Sequence, residues 1–186
     1  MSTKEVLKKI EDNMKKGIDA TKRELAELRS GRANPKMVEG IRVDYYGTPT
    51  LLKELATIGI PEARMVVIHP YDPSSLKEIE KAILQSELGI TPVNDGKLIR
   101  LIVPPLSEER RGELIKIVKK VGEEGKVSIR TVRRDGKDEI KKLEKDKKIS
   151  EDERFKSEEQ LQKITDKYIN EIERIVENKE KELKEF

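Results

Sequence analysis

The sequence predicts an α+β protein: an elongated three-helix bundle into which a small β/α/β domain is inserted. Three observations carry that expectation. The flanking residues 1–30 and 105–186 hold 31 Lys+Arg and 28 Asp+Glu, with apolar residues at helical spacing. Residues 31–104 hold only 9 of each charge and 7 of the 8 prolines, and their apolar period shortens to that of strands. The first segment cannot bury its apolar stripe alone, so it needs helices more than seventy residues downstream as partners. The middle is therefore an insertion, with expected bounds 1–30 plus 106–186 for the bundle and 31–105 for the inserted domain.

In residues 3–30, Leu7, Ile10, Met14, Ile18, Leu25 and Leu28 recur in steps of three and four. Leu7, Met14, Thr21 and Leu28 are spaced as heptads, the seam of a nearly parallel helix pair. Gly17 is expected to weaken this helix by about 1 kcal/mol relative to Ala, and Ser30-Gly31-Arg32-Ala33-Asn34-Pro35 to end it. Ile41, Val43 and Tyr45 alternate with Arg42 and Asp44, predicting a strand that stops at Tyr46-Gly47-Thr48-Pro49. Ala56–Ile60 and Met65–Ile68 predict two more strands. Pro73-Ser74-Ser75 opens a short helix with Leu76, Ile79, Ala82 and Ile83 inward and Gly89 beyond its end. Val93-Asn94-Asp95-Gly96-Lys97 carries an Asp-Gly hairpin signal. Leu98–Val103 is the last predicted strand, ended by Pro104-Pro105.

Ser107 is a good N-cap, and Glu108 and Glu109 suit a first helical turn. The long helix expected from 107 to about 146 has its seam at Leu114, Val118, Val121, Gly125, Ser128 and Val132, flanked by Ile117 and Ile129. Gly136 is unusual there and is expected to bend or weaken the helix. Ser150-Glu151-Asp152-Glu153 reads as a capping box. It starts a third helix with its seam at Phe155, Leu161, Ile164, Tyr168, Ile172, Ile175, Lys179 and Leu183.

Composition narrows the function. The 186 residues are 41 % charged and contain no Cys and a single histidine, His69. Disulfides, thiolate chemistry and the usual nucleophile–base pairs are therefore missing. Neither a metal site nor a cofactor is expected, and no glycine-rich phosphate loop occurs. The carboxylates lie among lysines on helix faces and read as solvated ion-pair partners, so an enzyme is not expected. No apolar run approaches membrane-spanning length, and the chain reads as a cytoplasmic monomer.

A basic stripe is the better candidate site. Lys126, Arg130, Arg133, Lys137 and Lys141 follow steps of four, three, four and four, with Arg134 beside them and no acidic residue in 125–134. Arginine's planar fork grips phosphate at two points, which suits a folded RNA. Arg29 and Arg32 would extend the patch if the first and second helices run antiparallel there. Aromatics are scarce, so the sequence favours RNA held by backbone and shape over reading of single-stranded bases. Tyr45 and Tyr46 flank a tight turn and are candidates to anchor a protein partner. On these residues alone, a coiled-coil-like protein scaffold and a non-specific RNA chaperone stay open beside an RNA-associated adaptor.

Several motifs in one collinear order closely resemble the ribosome recycling factor family. They are Ser30-Gly31-Arg32-Ala33-Asn34-Pro35, Val43-Asp44-Tyr45-Tyr46-Gly47-Thr48-Pro49 and Leu88-Gly89-Ile90. Pro104-Pro105-Leu106-Ser107-Glu108-Glu109-Arg110-Arg111, Ser128-Ile129-Arg130-Thr131-Val132-Arg133-Arg134-Asp135 and Lys147-Lys148-Ile149-Ser150-Glu151-Asp152 complete the set. The resemblance implies an L-shaped, two-domain protein. Its hinge would lie at 30–34 and 104–106, with Ser30, Gly31, Arg32, Ala33, Pro104, Pro105 and Leu106 as hinge residues. It implies binding to the post-termination ribosome through large-subunit ribosomal RNA. Subunit splitting with elongation factor G and GTP would follow, releasing ribosome, messenger and tRNA for reuse. By motif, Arg130 and Arg133 match the family's ribosome-contacting arginines with Arg134 adjacent. Arg29, Arg32 and Arg110 match positions at the hinge and at the start of the long helix. The inserted domain with Tyr45 is what such factors present to elongation factor G.

Overall fold

Serine at the second position begins the first helix by a reciprocal cap. Its hydroxyl accepts from the Glu5 N–H, and Glu5 Oε2 accepts from the Ser2 N–H at 2.7 Å. The computed structural model describes residues 2–185; Met1 and Phe186, both within the expected bundle bounds, lie outside the described residues. Helix α1 spans Thr3–Glu27 and stops at Leu28, whose backbone is extended. Two further long helices follow much later, α5 at Glu108–Lys145 and α6 at Glu151–Glu185. These three form one compact unit, which runs to Arg29 and resumes at Glu108–Glu185. Ser30–Ser107 form the other.

In the helical unit, α5 runs antiparallel to both neighbours, and α1 is parallel to α6. The partners show it: Gly125 faces Thr21 and Ile172, while Gly136 faces Ile10 and Leu161. Met14, Ile129, Ile140, Leu161 and Ile172 are fully buried in the shared core. Each such side chain contributes about 1.5–3 kcal/mol relative to exposure. Thr21 is buried as the heptads predict and satisfies its hydroxyl by donating to the Gly17 carbonyl at 3.1 Å.

The α6 seam differs from expectation. Phe155 is 55 % exposed, with the Arg154 guanidinium 4.0 Å over its ring. Ser157 and Thr165 are buried instead, each bonded to the carbonyl four residues back. Small hydroxyl residues suit positions where helices approach closely. On α5, Ser128 is exposed and Ile129 takes its place in the core. Gly136 does not interrupt α5. It is buried, and a Cβ there would collide with the Ile10 side chain. Gly122 plays the same part, where a Cβ would lie 2.5 Å from Val176 Cγ2. The glycines fix how closely the helices pack.

The second unit contains α2 (Lys36–Glu39), β1 (Arg42–Tyr45), β2 (Thr48–Leu51), α3 (Leu52–Leu55), β3 (Ala56–Glu62) and β4 (Met65–Pro70). After a 3-10 turn at Pro73–Ser75 come α4 (Leu76–Gln85), β5 (Val93–Asn94) and β6 (Ile99–Ile102). Two antiparallel sheets result: β1-β2, and β3-β4-β6-β5. Ile68 pairs with Ile99 and Val66 with Leu101, and these side chains share a buried face with Leu52, Ile79 and Ile83.

The expected turn at 46–49 is instead a hairpin. Tyr46 (φ 49°) and Gly47 (φ 80°) form its two-residue tip, and Tyr45 pairs with Thr48. Pro49 hid β2 from the pattern; proline is tolerated because the strand has a free edge. The short α2 and α3 carry too few residues to show a period. His69 is exposed near the end of β4.

Candidate nucleic-acid interface

Helix α5 presents its basic residues in two different settings. Lys126 is closed off: its side chain is 17 % exposed, and its ammonium sits 3.2 Å from both Glu123 and Glu173. The Glu173 hydrogen bond, helped by Glu123, holds its pKa above the usual lysine value. A phosphate would have to displace two carboxylates, so Lys126 does not share the setting of the other cations, contrary to the spacing.

One turn onward the situation changes. Arg130, Arg133, Arg134 and Lys137 line a groove of about 530 Å³ between α5 and α6, with Val127, Thr131, Glu158, Leu161 and Gln162. Arg130 and Arg134 are exposed and take part in no ion pair among the described residues. Arg133 is half-buried and donates from Nη1 to Gln162 Oε1 at 3.4 Å, while Gln162 Nε2 donates to Asp166 at 2.7 Å. That chain ties the guanidinium from α5 to α6. Glu158 is the single carboxylate in the lining, and it is shared: Lys137 lies 3.7 Å away and Arg154 3.2 Å away. Arg154 also holds Glu144 at 2.8 Å, tying the end of α5 to the start of α6. The groove keeps a net positive charge with three guanidiniums on one wall. Lys141 is exposed beyond it.

Arg29 does not extend this patch. The antiparallel register that sets Thr21 against Gly125 puts the end of α1, Glu27, beside about residue 119, roughly 17 Å along the axis from Arg130, and Arg29 follows that end. Arg32 is exposed in the other unit, and Arg110 is paired with Glu113 at 2.8 Å. The contributions of Glu158, Gln162, Leu161 and Val127 escaped the sequence reading. Val127 was visible as an apolar residue off the seam, but the α6 residues depend on helix register.

The two tyrosines separate in role. Tyr45 is half-buried and donates its hydroxyl to Asp72 Oδ2 at 3.0 Å, which raises the Tyr45 pKa. Asp72 also accepts from the Ser74 hydroxyl and N–H, and these bonds hold its carboxyl below the usual range. Tyr46 is 79 % exposed, edge-on to Tyr45 at 4.7 Å. The two tyrosines border a second hollow with Asp44, Ser74, Ser75 and Glu78. Ser30 and Gly31 are buried, and Gly31 (φ 75°) lies against Leu106, so the two segments entering and leaving the second unit touch.

No described helix is long and apolar enough to cross a membrane, and no described group of three or more His, Cys, Asp or Glu is arranged to hold a metal. The family model described as ribosome recycling factor matches residues 21–183. Ribosome-recycling factors of Brevibacillus brevis and Natranaerobius thermophilus are 57 % and 55 % identical, each over 97 % of this chain and 97 % and 98 % of their own. A solution structure of the ribosome recycling factor is 44 % identical and superposes with a TM-score of 0.74, covering 100 % of this chain and 99 % of that one. A second is 41 % identical with a TM-score of 0.63, over 98 % of this chain and 99 % of that one. It belongs to models of the T. thermophilus ribosome recycling factor and E. coli elongation factor G bound to the E. coli post-termination complex. With collinear motifs, the same helical and sheet units and identity above one half along nearly its whole length, this chain belongs to the ribosome recycling factor family.

Proposed function

We propose that this protein binds the post-termination ribosome and, with elongation factor G and GTP, splits the subunits so that ribosome, messenger and tRNA are reused. It is a translation factor, not an enzyme, and it works in the cytoplasm. The observation that carries the RNA-binding part is the groove wall of Arg130, Arg133 and Arg134, whose charge no carboxylate on α5 neutralises. Three neighbouring guanidiniums along one groove concentrate positive potential where the phosphates of a polyanion can lie. Lys137 and Lys141 continue the wall toward the end of α5, and Arg29, Arg32 and Arg110 make secondary contacts.

Exposed Tyr46, with Tyr45 braced behind it by Asp72, is the part of the second unit offered to elongation factor G. The chain passes into the second unit through Ser30–Ala33 and out of it through Pro104–Leu106. Two crossings permit rotation with little change in buried surface. This hinge transmits the push of the GTPase.

Arg133→Glu should leave the helical circular dichroism intact and lower affinity for purified large subunits by at least about tenfold, the loss of one charge-assisted contact. Affinity should also fall with rising salt. Unchanged affinity in the variant, or binding indifferent to salt, would remove RNA contact from this face. Polysome breakdown with purified ribosomes, elongation factor G and this protein reads the whole activity.

A further inference from the structure

The groove between α5 and α6 has a second character beside its charge. Its floor is apolar: Leu161 is buried beneath it, and Val127 stands 55 % exposed at one end in an otherwise charged stretch of helix. Thr131, one turn beyond Val127 on α5, lines the same groove. A flat basic face can already meet the phosphates of an RNA. This one is concave, about 530 Å³, within the range of small-ligand sites.

We propose that the groove receives a single unstacked nucleobase of the bound RNA, laid against Val127. The flanking phosphates are then held by Arg130 and Arg134. Arg133, held by Gln162, whose amide Asp166 orients in turn, stacks its guanidinium on the base. Arginine planes take the place of aromatic rings in such contacts. This accounts for RNA recognition in a chain with 3 % aromatic residues. The occupant follows from complementarity: four cations against one shared carboxylate call for an anion, and the apolar floor calls for a flat, weakly polar body attached to it. An unpaired nucleotide has both. The site is indifferent to base identity, since Gln162 has its amide committed to Asp166 and Arg133.

The inference rests on the RNA-binding reading above, and the test separates the two. Val127→Ser removes apolar floor without altering charge, and the residue is exposed enough for the helix to tolerate it. Binding of full-length protein to purified large subunits is measured across a salt series, with base-specific chemical probing of the ribosomal RNA. The expected result is roughly tenfold weaker binding at every salt concentration with the salt slope unchanged. One base protected by the wild type should regain reactivity in the variant. Arg130→Ala should instead reduce the slope by about one. If Arg130→Ala weakens binding while Val127→Ser binds as wild type, or no base protection depends on residue 127, the base pocket is wrong and the phosphate grip stands. If neither variant changes binding, both readings fail.

Discussion

Gly136 offers the sharpest test of how the bundle is held together, because the same substitution at Gly17 should have the opposite sign. A Cβ on Gly136 would collide with Ile10 Cδ1 and lie 2.9 Å from Ile10 Cγ1. Since two atoms are involved, rotating the terminal methyl alone does not make room. Ile10 is 3 % exposed and packed in the core shared by all three helices. Overpacking of such a site costs about 1–3 kcal/mol, against a gain of about 1 kcal/mol for replacing a helical glycine. Gly136→Ala should therefore destabilise the helical unit by about 1 kcal/mol.

At Gly17 the nearest atoms would be Ile129 Cδ1 at 3.5 Å and Ser128 Oγ at 3.6 Å, ordinary contacts. Gly17→Ala should stabilise by up to about 1 kcal/mol. Urea unfolding followed by the helical signal at 222 nm measures both. Ile10→Val, which removes Cδ1, should cost about 0.5–1.5 kcal/mol in the wild type and distinctly less in the Gly136→Ala background. If both alanines stabilise equally, or Ile10→Val costs the same in both backgrounds, close approach through Gly136 does not set the packing.

Tyr168 is buried and donates to Glu11 at 3.0 Å; burial first, then that bond and the charges of Glu11, Glu171 and Asp12, push its pKa up to about 12. Unfolded tyrosine ionises near 10, so the folded state holds the proton longer, and this stability is complete below pH 10 and lost as pH rises toward 12. Phenolate absorbance should show one late-titrating tyrosine, absent in Tyr168→Phe; a normal midpoint refutes it. Ser150 closes a capping box with Glu153 at 3.2 and 2.9 Å, and Ser150→Ala should cost about 1 kcal/mol in the same urea assay. Tyr45→Phe should raise the Asp72 pKa only part of the way, since the larger Ser74 hydrogen bonds remain. Carboxyl NMR titration checks it, and no movement would mean that the Tyr45–Asp72 bond is not formed in solution.

Helix existence was legible wherever a stripe ran long enough. The heptads at Leu7, Met14 and Thr21 and the cap at Ser150 follow from local chemistry, whereas the first helix, expected to end in Ser30–Pro35, already stops at Glu27. The short α2, β2 and α3 were not legible, although β1, β3, β4, α4 and β6 were. Strand β2 begins Thr48-Pro49, and its pairing depends on the left-handed pair Tyr46-Gly47, where tyrosine is not the residue a turn motif leads one to expect. Gly136 read as a defect because helix propensity is local, whereas its value is to admit Ile10 from a helix more than a hundred residues away.

By itself, the sequence determined that three charged helices must share their stripes, that a different kind of chain interrupts them, and that one stretch of helix is basic without acids. Those are properties of neighbours in the chain. Only the tertiary structure decided which basic residues stay available. Lys126 and Arg130 are one turn apart on α5, yet the register of α6 brings Glu173 to the first and leaves the second open. Charge is written residue by residue, but neutralisation is a matter of distance between helices, and that distance exists only after they pack.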